Sequence, residues 1–87
     1  MAEIEIYTTP FCGFCYRVKK LLADKGASFT EYDVMMSAAK RKEMRERAGG
    51  DNKVPQVFID DRHIGGSDKL DALAGSGELD RLLGVEA

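Results

Sequence analysis

Two cysteines, Cys12 and Cys15, are the residues whose type and spacing point most directly to chemistry. They are the only cysteines in the sequence and lie where an apolar segment at residues 4–7 gives way to a helical pattern. Residues three apart at the start of a helix are close enough for a disulfide to form between them. So short a loop removes little entropy from the unfolded chain. The pair therefore predicts reversible redox chemistry rather than a structural cross-link.

The two thiols are expected to have different roles. The nucleophile in disulfide exchange is a thiolate, and a free cysteine with a pKa of roughly 8.5 is only a few per cent ionised at neutral pH. Cys12 falls at the helix N-terminus, where the helix dipole and the N–H groups of Phe14 and Cys15 favour an anion. Cys15, one turn inside, is expected to be less exposed and to act as the resolving thiol. A zinc site is not expected here, because a closed zinc site needs four protein ligands and the cysteine pair supplies only two.

Length and composition narrow the class of protein. With 87 residues the chain predicts one domain over residues 1–87. The formal net charge of -2 argues against a general nucleic-acid binder. The sequence starts without a basic region followed by a long apolar run, and no apolar stretch approaches membrane length. We therefore expect a cytoplasmic protein that binds neither nucleic acid nor membrane, in a compartment where a dithiol stays reactive.

The elements that position the dithiol are predicted to be a strand, a helix and a second strand. Residues 3–6 alternate between acidic and apolar side chains, which predicts a strand at 4–7 with its isoleucines inward. Apolar residues then recur at helical spacing from about Cys12 until Gly26 caps the helix. Residues 29–34 predict the second strand, which a right-handed crossover makes parallel to the first.

The rest of the sequence predicts further helices and a hairpin. Asp60-Asp61-Arg62 is typical of a turn between antiparallel strands, and Ser67 is expected to be a helix N-cap. Met35 and Met36 are interpreted as core residues rather than a metal site. The other predicted elements are a helix over 37–48, strands over 54–59 and 63–64, a helix after Ser67 and a last helix from 76–77. This order predicts a thioredoxin-like α/β fold, a four-stranded mixed sheet flanked by helices.

Four segments of the sequence match one known family in the right order. They are YTTPFCGFC at 7–15, VPQVFI at 54–59, HIGGSD at 63–68 and SGEL at 76–79. On these segments the chain closely resembles the glutaredoxins, specifically the short dithiol bacterial class, and the resemblance covers essentially the whole chain. It implies an enzyme, a glutathione-dependent thiol-disulfide oxidoreductase that reduces glutathione mixed disulfides and protein disulfides through Cys12 and Cys15.

The sequence departs from the usual pattern of this family at several positions. Gly13-Phe14 replaces Pro-Tyr between the cysteines, and Lys53 replaces the threonine before the Val-Pro pair. The lysine commonly found shortly before the first cysteine is Thr9 or Pro10 here. We expect Lys53 to supply the missing positive charge beside the Cys12 thiolate, and a solvated loop lysine is the equal alternative.

The resemblance also implies a glutathione site beside the dithiol. Gly66, Ser67 and Asp68 are expected to hold the γ-glutamyl end, with free N–H groups for its carboxylate and Asp68 for its ammonium, and an ordinary helix cap is the alternative. Val54-Pro55 is expected to be a cis-proline turn that leaves the Val54 N–H and C=O free for the ligand's cysteine. Three further candidates are Arg41 (or Lys42) for the glycine carboxylate, Phe14 as an exposed contact surface, and Tyr7. Solvation of Arg41 and ordinary strand packing of Tyr7 are the alternatives.

Two other functions stay open at the level of sequence. The first is a carrier of a [2Fe-2S] cluster, held between two chains by Cys12 and two glutathione thiols. Gly13 relaxes the turn after Cys12, and Cys-Gly-Phe resembles the monothiol glutaredoxins, but Cys15 stands where they have serine and their longer preceding loop is missing. The second is a non-enzymatic adaptor that docks through the charged helix at 37–48. We expect a monomer whose partners are glutathione and glutathionylated or disulfide-containing proteins.

Overall fold

A four-stranded mixed sheet organises the chain in the computed structural model, which describes residues 3–84. The strands lie in the order β2-β1-β3-β4, with β1 parallel to β2, and β3 antiparallel to both of its neighbours. No helix within residues 3–84 is long and apolar enough to cross a membrane. The elements are β1 (Ile4–Thr8), α1 (Gly13–Asp24), β2 (Thr30–Asp33), α2 (Ala38–Arg47), β3 (Gln56–Ile59), β4 (Arg62–Gly65), α3 (Ser67–Ser76) and α4 (Glu78–Leu83). The predicted mixed sheet flanked by helices is confirmed.

Side chains of both sheet faces are buried, so the alternation along the strands divides the core in two. In β3, Val57 and Ile59 pack into one cluster while Phe58, between them, packs into the other. The cluster on the α2 side consists of Tyr7, Val34, Met44, Ala48 and Phe58. The larger cluster, with α1, α3 and α4, consists of Ile4, Ile6, Val18, Leu22, Val57, Ile59, Leu70, Leu79 and Leu83.

Both ends of α1 follow from local sequence. The Cys12 side chain caps its start. At its other end Gly26 has a φ of +72°, and the Gly26 N–H and the Ala27 N–H donate to the carbonyls of Ala23 and Leu22 at 2.9 and 3.0 Å. This is the helix-ending pattern that favours glycine, as predicted. The buried residues of α1 are Cys15, Val18 and Leu22, so the same stripe that packs the helix onto the sheet directs Cys15 inward.

Three details of the sequence prediction are wrong. The third strand begins at Gln56 rather than at 54, because Pro55 has no N–H to donate to a neighbouring strand. Ser67 is the first residue of α3 and is buried, while Gly66 is the N-cap and offers no side-chain cap. Met35 and Met36 are 55% and 81% exposed rather than in the core, because both backbone N–H groups donate to the Asp33 carboxylate and turn the chain away from the sheet after β2.

Candidate active site

Cys12 lies at the N-terminus of α1 with its sulfur turned back toward the helix. Its backbone is extended, and the Cys15 N–H donates to the Cys12 Sγ at 3.2 Å. A sulfur that accepts an N–H at the positive end of a helix is favoured as an anion. The Phe14 N–H, which was expected to share this contact, does not do so; within residues 3–84, Cys15 supplies the one backbone donor to the Cys12 side chain.

Cys15 is buried, as predicted, and its thiol is held in the protonated form. Its side chain is 1% exposed, whereas Cys12 is partly exposed, and both are free thiols. Burial, and after it a side-chain hydrogen bond with Cys12, raise the pKa of the Cys15 thiol to about 12. The Thr9 backbone N–H and the Lys19 ammonium oppose this rise in the pKa of Cys15. At neutral pH the accessible sulfur is therefore that of Cys12, and Cys15 keeps its proton.

A cleft of about 340 Å³ opens beside the dithiol. Its walls come from the start of α1, the loop before β3 and the start of α3. Besides the predicted residues, it is lined by Asp51, Gln56 and Lys69. The predicted glutathione-binding residues that line it are Phe14, Lys53, Val54, Pro55, Gly66, Ser67 and Asp68. The structure thus brings together, from three separate segments, all of the predicted glutathione-binding residues except Tyr7 and Arg41.

The start of α3 gives the cleft an anion-binding end. Gly66 makes no side-chain cap hydrogen bond, so the first N–H groups of α3 are left without a capping side chain. A Cβ atom at Gly66 would lie 3.2 Å from the carbonyl oxygen of Pro55, so glycine allows the two backbones to approach closely. Asp68 adds a carboxylate in the first turn of α3. Donors and an acceptor side by side suit a group that carries both a carboxylate and an ammonium.

The loop before β3 forms the opposite wall. The Val54-Pro55 peptide bond is cis, as the resemblance implied. Val54 makes no backbone hydrogen bond with another residue of the described part of the chain, so its N–H and C=O are available to a ligand. The Lys53 N–H donates to the Asp51 Oδ1 at 2.9 Å and lowers the pKa of the Asp51 carboxyl. This short turn fixes the backbone of Lys53, which lines the cleft.

The structure places Tyr7 away from the cleft. Its side chain is fully buried on the α2 side of the sheet, where its hydroxyl donates to Glu43 and accepts from the Arg47 Nη1 at 2.7 Å. Burial, and after it the bond to Glu43, raise the pKa of Tyr7 to about 12. The Arg47 guanidinium also binds both oxygens of Glu5 and lies 4.1 Å over the Phe58 ring. This arrangement matches the alternative of strand packing rather than a ligand contact.

Arg41 also lies outside the cleft lining. Its Nε donates to the Asn52 Oδ1 at 2.9 Å, and its Nη2 donates to the Asn52 carbonyl oxygen at 3.4 Å. Arg41 therefore braces the loop that carries Lys53 from the side of α2. Its guanidinium is next to the cleft without lining it.

Sequence reasoning missed three residues that line the cleft. Gln56 is 1% exposed, and its Oε1 lies 2.7 Å from the His63 Nε2 in a side-chain pair between β3 and β4. Asp51 accepts the Lys53 N–H in the turn described above. An aspartate in a loop can indicate such a turn, because its side chain bonds the backbone N–H two residues on. Lys69 follows Asp68 on α3, and nothing in its spacing distinguishes it from a solvated helix lysine.

Comparison with known sequences points to a single family. The family model described as glutaredoxin matches residues 4–64. The chain is 53% identical to Glutaredoxin 3 of Escherichia coli K12 over 83 residues, which cover 95% of this chain and 99% of that protein. It is 50% identical to a probable glutaredoxin of Synechocystis over 82 residues, which cover 94% of this chain and 93% of that protein.

Solved structures agree with the sequences. A crystal structure of a buckwheat glutaredoxin–glutathione complex superposes with a TM-score of 0.86 at 29% identity, over 99% of this chain and 83% of that one. The solution structure of glutaredoxin from Brucella melitensis superposes with a TM-score of 0.83 at 49% identity, over 95% of this chain and 89% of that one. The chain therefore has the thioredoxin-like fold that its sequence predicted.

Proposed function

Since this chain belongs to the glutaredoxin family and is a glutathione-dependent thiol-disulfide oxidoreductase, we propose that Cys12 is its nucleophile and Cys15 its resolving thiol. One observation carries the assignment of roles. The partly exposed Cys12 sulfur accepts an N–H at a helix start, whereas the Cys15 thiol is buried with a pKa of about 12. The accessible sulfur at the helix start attacks first.

The proposed reaction has two stages. The Cys12 thiolate attacks the glutathione sulfur of a mixed disulfide, which forms a Cys12–glutathione disulfide and releases the protein thiolate. A second glutathione then regenerates Cys12 and leaves as oxidised glutathione. With a protein disulfide, Cys12 instead becomes joined to the protein, and Cys15 displaces the protein thiol to give the Cys12–Cys15 disulfide. Two molecules of glutathione reduce that disulfide again.

The contacts of Cys15 link its reactivity to the state of Cys12. Two of the influences that raise the pKa of Cys15 come from Cys12, its hydrogen bond and its charge. Once Cys12 forms a mixed disulfide, its sulfur carries no charge, and these two influences are lost. Cys15 thus becomes easier to ionise when there is a mixed disulfide to resolve, and it stays protonated in the reduced enzyme.

We assign glutathione to the cleft beside Cys12. The free N–H groups at the start of α3 suit the γ-glutamyl carboxylate, Asp68 its ammonium, and the unpaired backbone of Val54 the cysteine residue of the ligand. Lys53 lines the cleft, where its ammonium suits both the Cys12 thiolate, as expected from the sequence, and the glycine carboxylate of the ligand, with Arg41 bracing its loop. The buckwheat relative was solved in complex with glutathione, which supports the ligand class.

Two cysteine variants test the division of roles. Cys12→Ser is expected to abolish both removal of glutathione from a glutathionylated peptide and reduction of a protein disulfide. Cys15→Ser is expected to lose the second activity and keep the first, because glutathione itself can regenerate Cys12. Both assays use glutathione and its reductase as the electron source. Loss of both activities in Cys15→Ser would show that Cys15 is needed for the first stage and would refute this division.

The [2Fe-2S] carrier gains no separate support. Within residues 3–84, no group of three or more His, Cys, Asp and Glu residues is arranged to hold a metal ion. A cluster would therefore need thiols from a second chain and from glutathione, as the sequence hypothesis supposed. Anaerobic reconstitution with iron, sulfide and glutathione tests it by visible absorption, and a colourless monomer rules the carrier out.

We further propose that residues 1–87 form one domain that works as a monomer in the cytoplasm. The two core clusters share the same four-stranded sheet, which supports one folding unit. A reactive dithiol that uses glutathione suits a compartment where glutathione is kept reduced. Sedimentation equilibrium of the reduced protein tests the oligomeric state.

A further inference from the structure

A polar network beside the dithiol joins α1 to the sheet. The Lys19 Nζ donates to the Glu31 Oε2 at 3.0 Å, and the same oxygen accepts the Thr8 hydroxyl at 2.6 Å. Thr8 is buried at the end of β1, and Glu31 lies on the neighbouring strand β2. The carboxylate therefore holds the Lys19 ammonium against the two parallel strands, and contacts on both sides fix the carboxylate itself.

Lys19 lies on the same face of α1 as Cys15. Lys19 follows Cys15 by four residues on α1, so the two side chains share a helix face with their Cβ atoms about 5 to 6 Å apart. The adjacent Lys20 differs from Lys19 in exposure and in its ion-pair partner. Its side chain is 60% exposed, against 35% for Lys19, and it pairs with Asp24 of the same helix rather than with the sheet. The electrostatics agree, since the Lys19 charge lowers the pKa of Cys15 while burial raises it.

We propose that Lys19, held by Glu31, is a positioning residue for the resolving step, where its fixed charge favours the anionic form of Cys15. This inference rests on the roles proposed above for the two cysteines. In the resolving step Cys15 gives its proton to solvent and attacks the Cys12 sulfur of the mixed disulfide with glutathione. The Cys12–Cys15 bond forms as the Cys12–glutathione bond breaks, and glutathione leaves as a thiolate that takes up a proton. No further oxidant or reductant is needed.

Lys19 is the charged side chain that favours the anionic form of Cys15, while its partner Glu31 carries the opposing charge of the ion pair. The Cys12 sulfur opposes ionisation of Cys15 when it is an anion and is neutral in the mixed disulfide. The Arg17 side chain is 61% exposed and pairs with Asp71 of α3 at 3.1 Å, so its charge is directed away and screened. The other charged groups near the dithiol or the network are Asp33, which acts on Glu31, and the cleft residues Asp51, Lys53, Asp68 and Lys69.

The resolving step can be timed directly. Reduced enzyme is mixed with saturating oxidised glutathione, quenched with acid at intervals and measured by intact mass, so that formation of the Cys12 mixed disulfide and its conversion to the internal disulfide are followed separately. Lys19→Gln is expected to slow the conversion about fivefold below pH 8, the effect of removing a partly exposed unit charge four residues along the helix from Cys15. Its rate should also reach its plateau at a higher pH than in the wild type. Lys19→Arg is expected to restore the rate, and the matched control Lys20→Gln to leave it unchanged.

The outcomes separate this inference from the proposed function. A Lys19→Gln enzyme that converts the mixed disulfide at the wild-type rate overturns the role of Lys19, as does a slower rate with an unmoved pH profile, which indicates a structural effect. Equal slowing of mixed-disulfide formation in a Cys15→Ser background also overturns it, because Lys19 would then act on Cys12. A wild-type enzyme that never forms the Cys12 mixed disulfide would instead contradict the proposed function itself.

Discussion

Replacement of Tyr7 by phenylalanine tests whether this residue serves the core or the glutathione site. The Tyr7 hydroxyl is fully buried between Glu43 and Arg47, so Tyr7→Phe removes two hydrogen bonds to charged partners without opening a cavity. Such bonds contribute about 1.5 to 3 kcal/mol, and the loss of the hydroxyl's own burial cost offsets part of this. We expect the variant to be about 1 to 2 kcal/mol less stable at pH 7, with an unchanged KM for glutathione because Tyr7 does not line the cleft.

The stability difference between wild type and Tyr7→Phe should shrink at high pH. The pKa of Tyr7 is raised from 10 to about 12 in the folded protein, so its protonated side chain stabilises the fold fully below pH 10 and loses this contribution as the pH rises toward 12. The loss relative to phenylalanine is about 1.4 kcal/mol by pH 11 and about 2 kcal/mol by pH 12. The stabilities of the two proteins should therefore converge near pH 11.

Urea unfolding of both proteins at closely spaced pH values from 7 to 11.5 measures this difference. Tyr16→Phe is the matched control, because Tyr16 is 65% exposed and loss of its hydroxyl should leave the free energy of unfolding at pH 7 unchanged. A stability gap between wild type and Tyr7→Phe that stays constant up to pH 11.5 would refute the buried, proton-holding role of the hydroxyl. A severalfold rise in the KM of Tyr7→Phe for glutathione would instead show that Tyr7 contributes to glutathione binding.

Two other substitutions test the cleft and the hairpin. Asp68→Asn is expected to raise the KM for glutathione about tenfold, because it weakens the contact with the ligand's ammonium; the coupled reductase assay measures this. The control is Asp71→Asn, which should leave KM unchanged because Asp71 lies outside the cleft lining. Equal effects of the two substitutions would contradict the proposed position of glutathione. Asp61→Gly is expected to stabilise the protein by about 0.5 to 1 kcal/mol, because Asp60 and Asp61 both have positive φ values in a two-residue hairpin turn that favours glycine at its second position. Thermal unfolding checks this, and a lowered Tm would show that the exposed ion pair of Asp61 with Arg47 outweighs the backbone strain.

Local patterns in the sequence were sufficient to predict most of the fold. Alternation at residues 3–6 and helical spacing after Cys12 both reflect the burial of one face, and burial is what the periodicity of apolar residues records. The glycine that ends α1 and the two aspartates of the hairpin turn were predictable for a different reason. Their positive φ values favour particular residue types, so the residue type itself indicates the turn. The motifs of the family predict which three segments form the cleft.

What the sequence did not predict depends on contacts between distant residues. Arg47 of α2 joins Glu5 and Tyr7 of β1 to Asp61 of the turn between β3 and β4, and no local pattern marks such a partnership. Apolar character alone suggested a core position for Met35 and Met36, but a side chain of Asp33 decides the path of that turn. The contact between Lys19 and Glu31 was hidden in the same way, because each residue resembles an ordinary surface charge.

The chemistry of the site depends on Cys12 being the reactive sulfur while the buried Cys15 keeps its proton. Brief alkylation of the fully reduced protein with iodoacetamide at pH 7, followed by peptide mass mapping, tests it directly. We expect a single modification, on Cys12, with Cys15 becoming reactive only after unfolding in urea. Modification of Cys15 in the folded protein at a rate equal to or faster than that of Cys12 would contradict it.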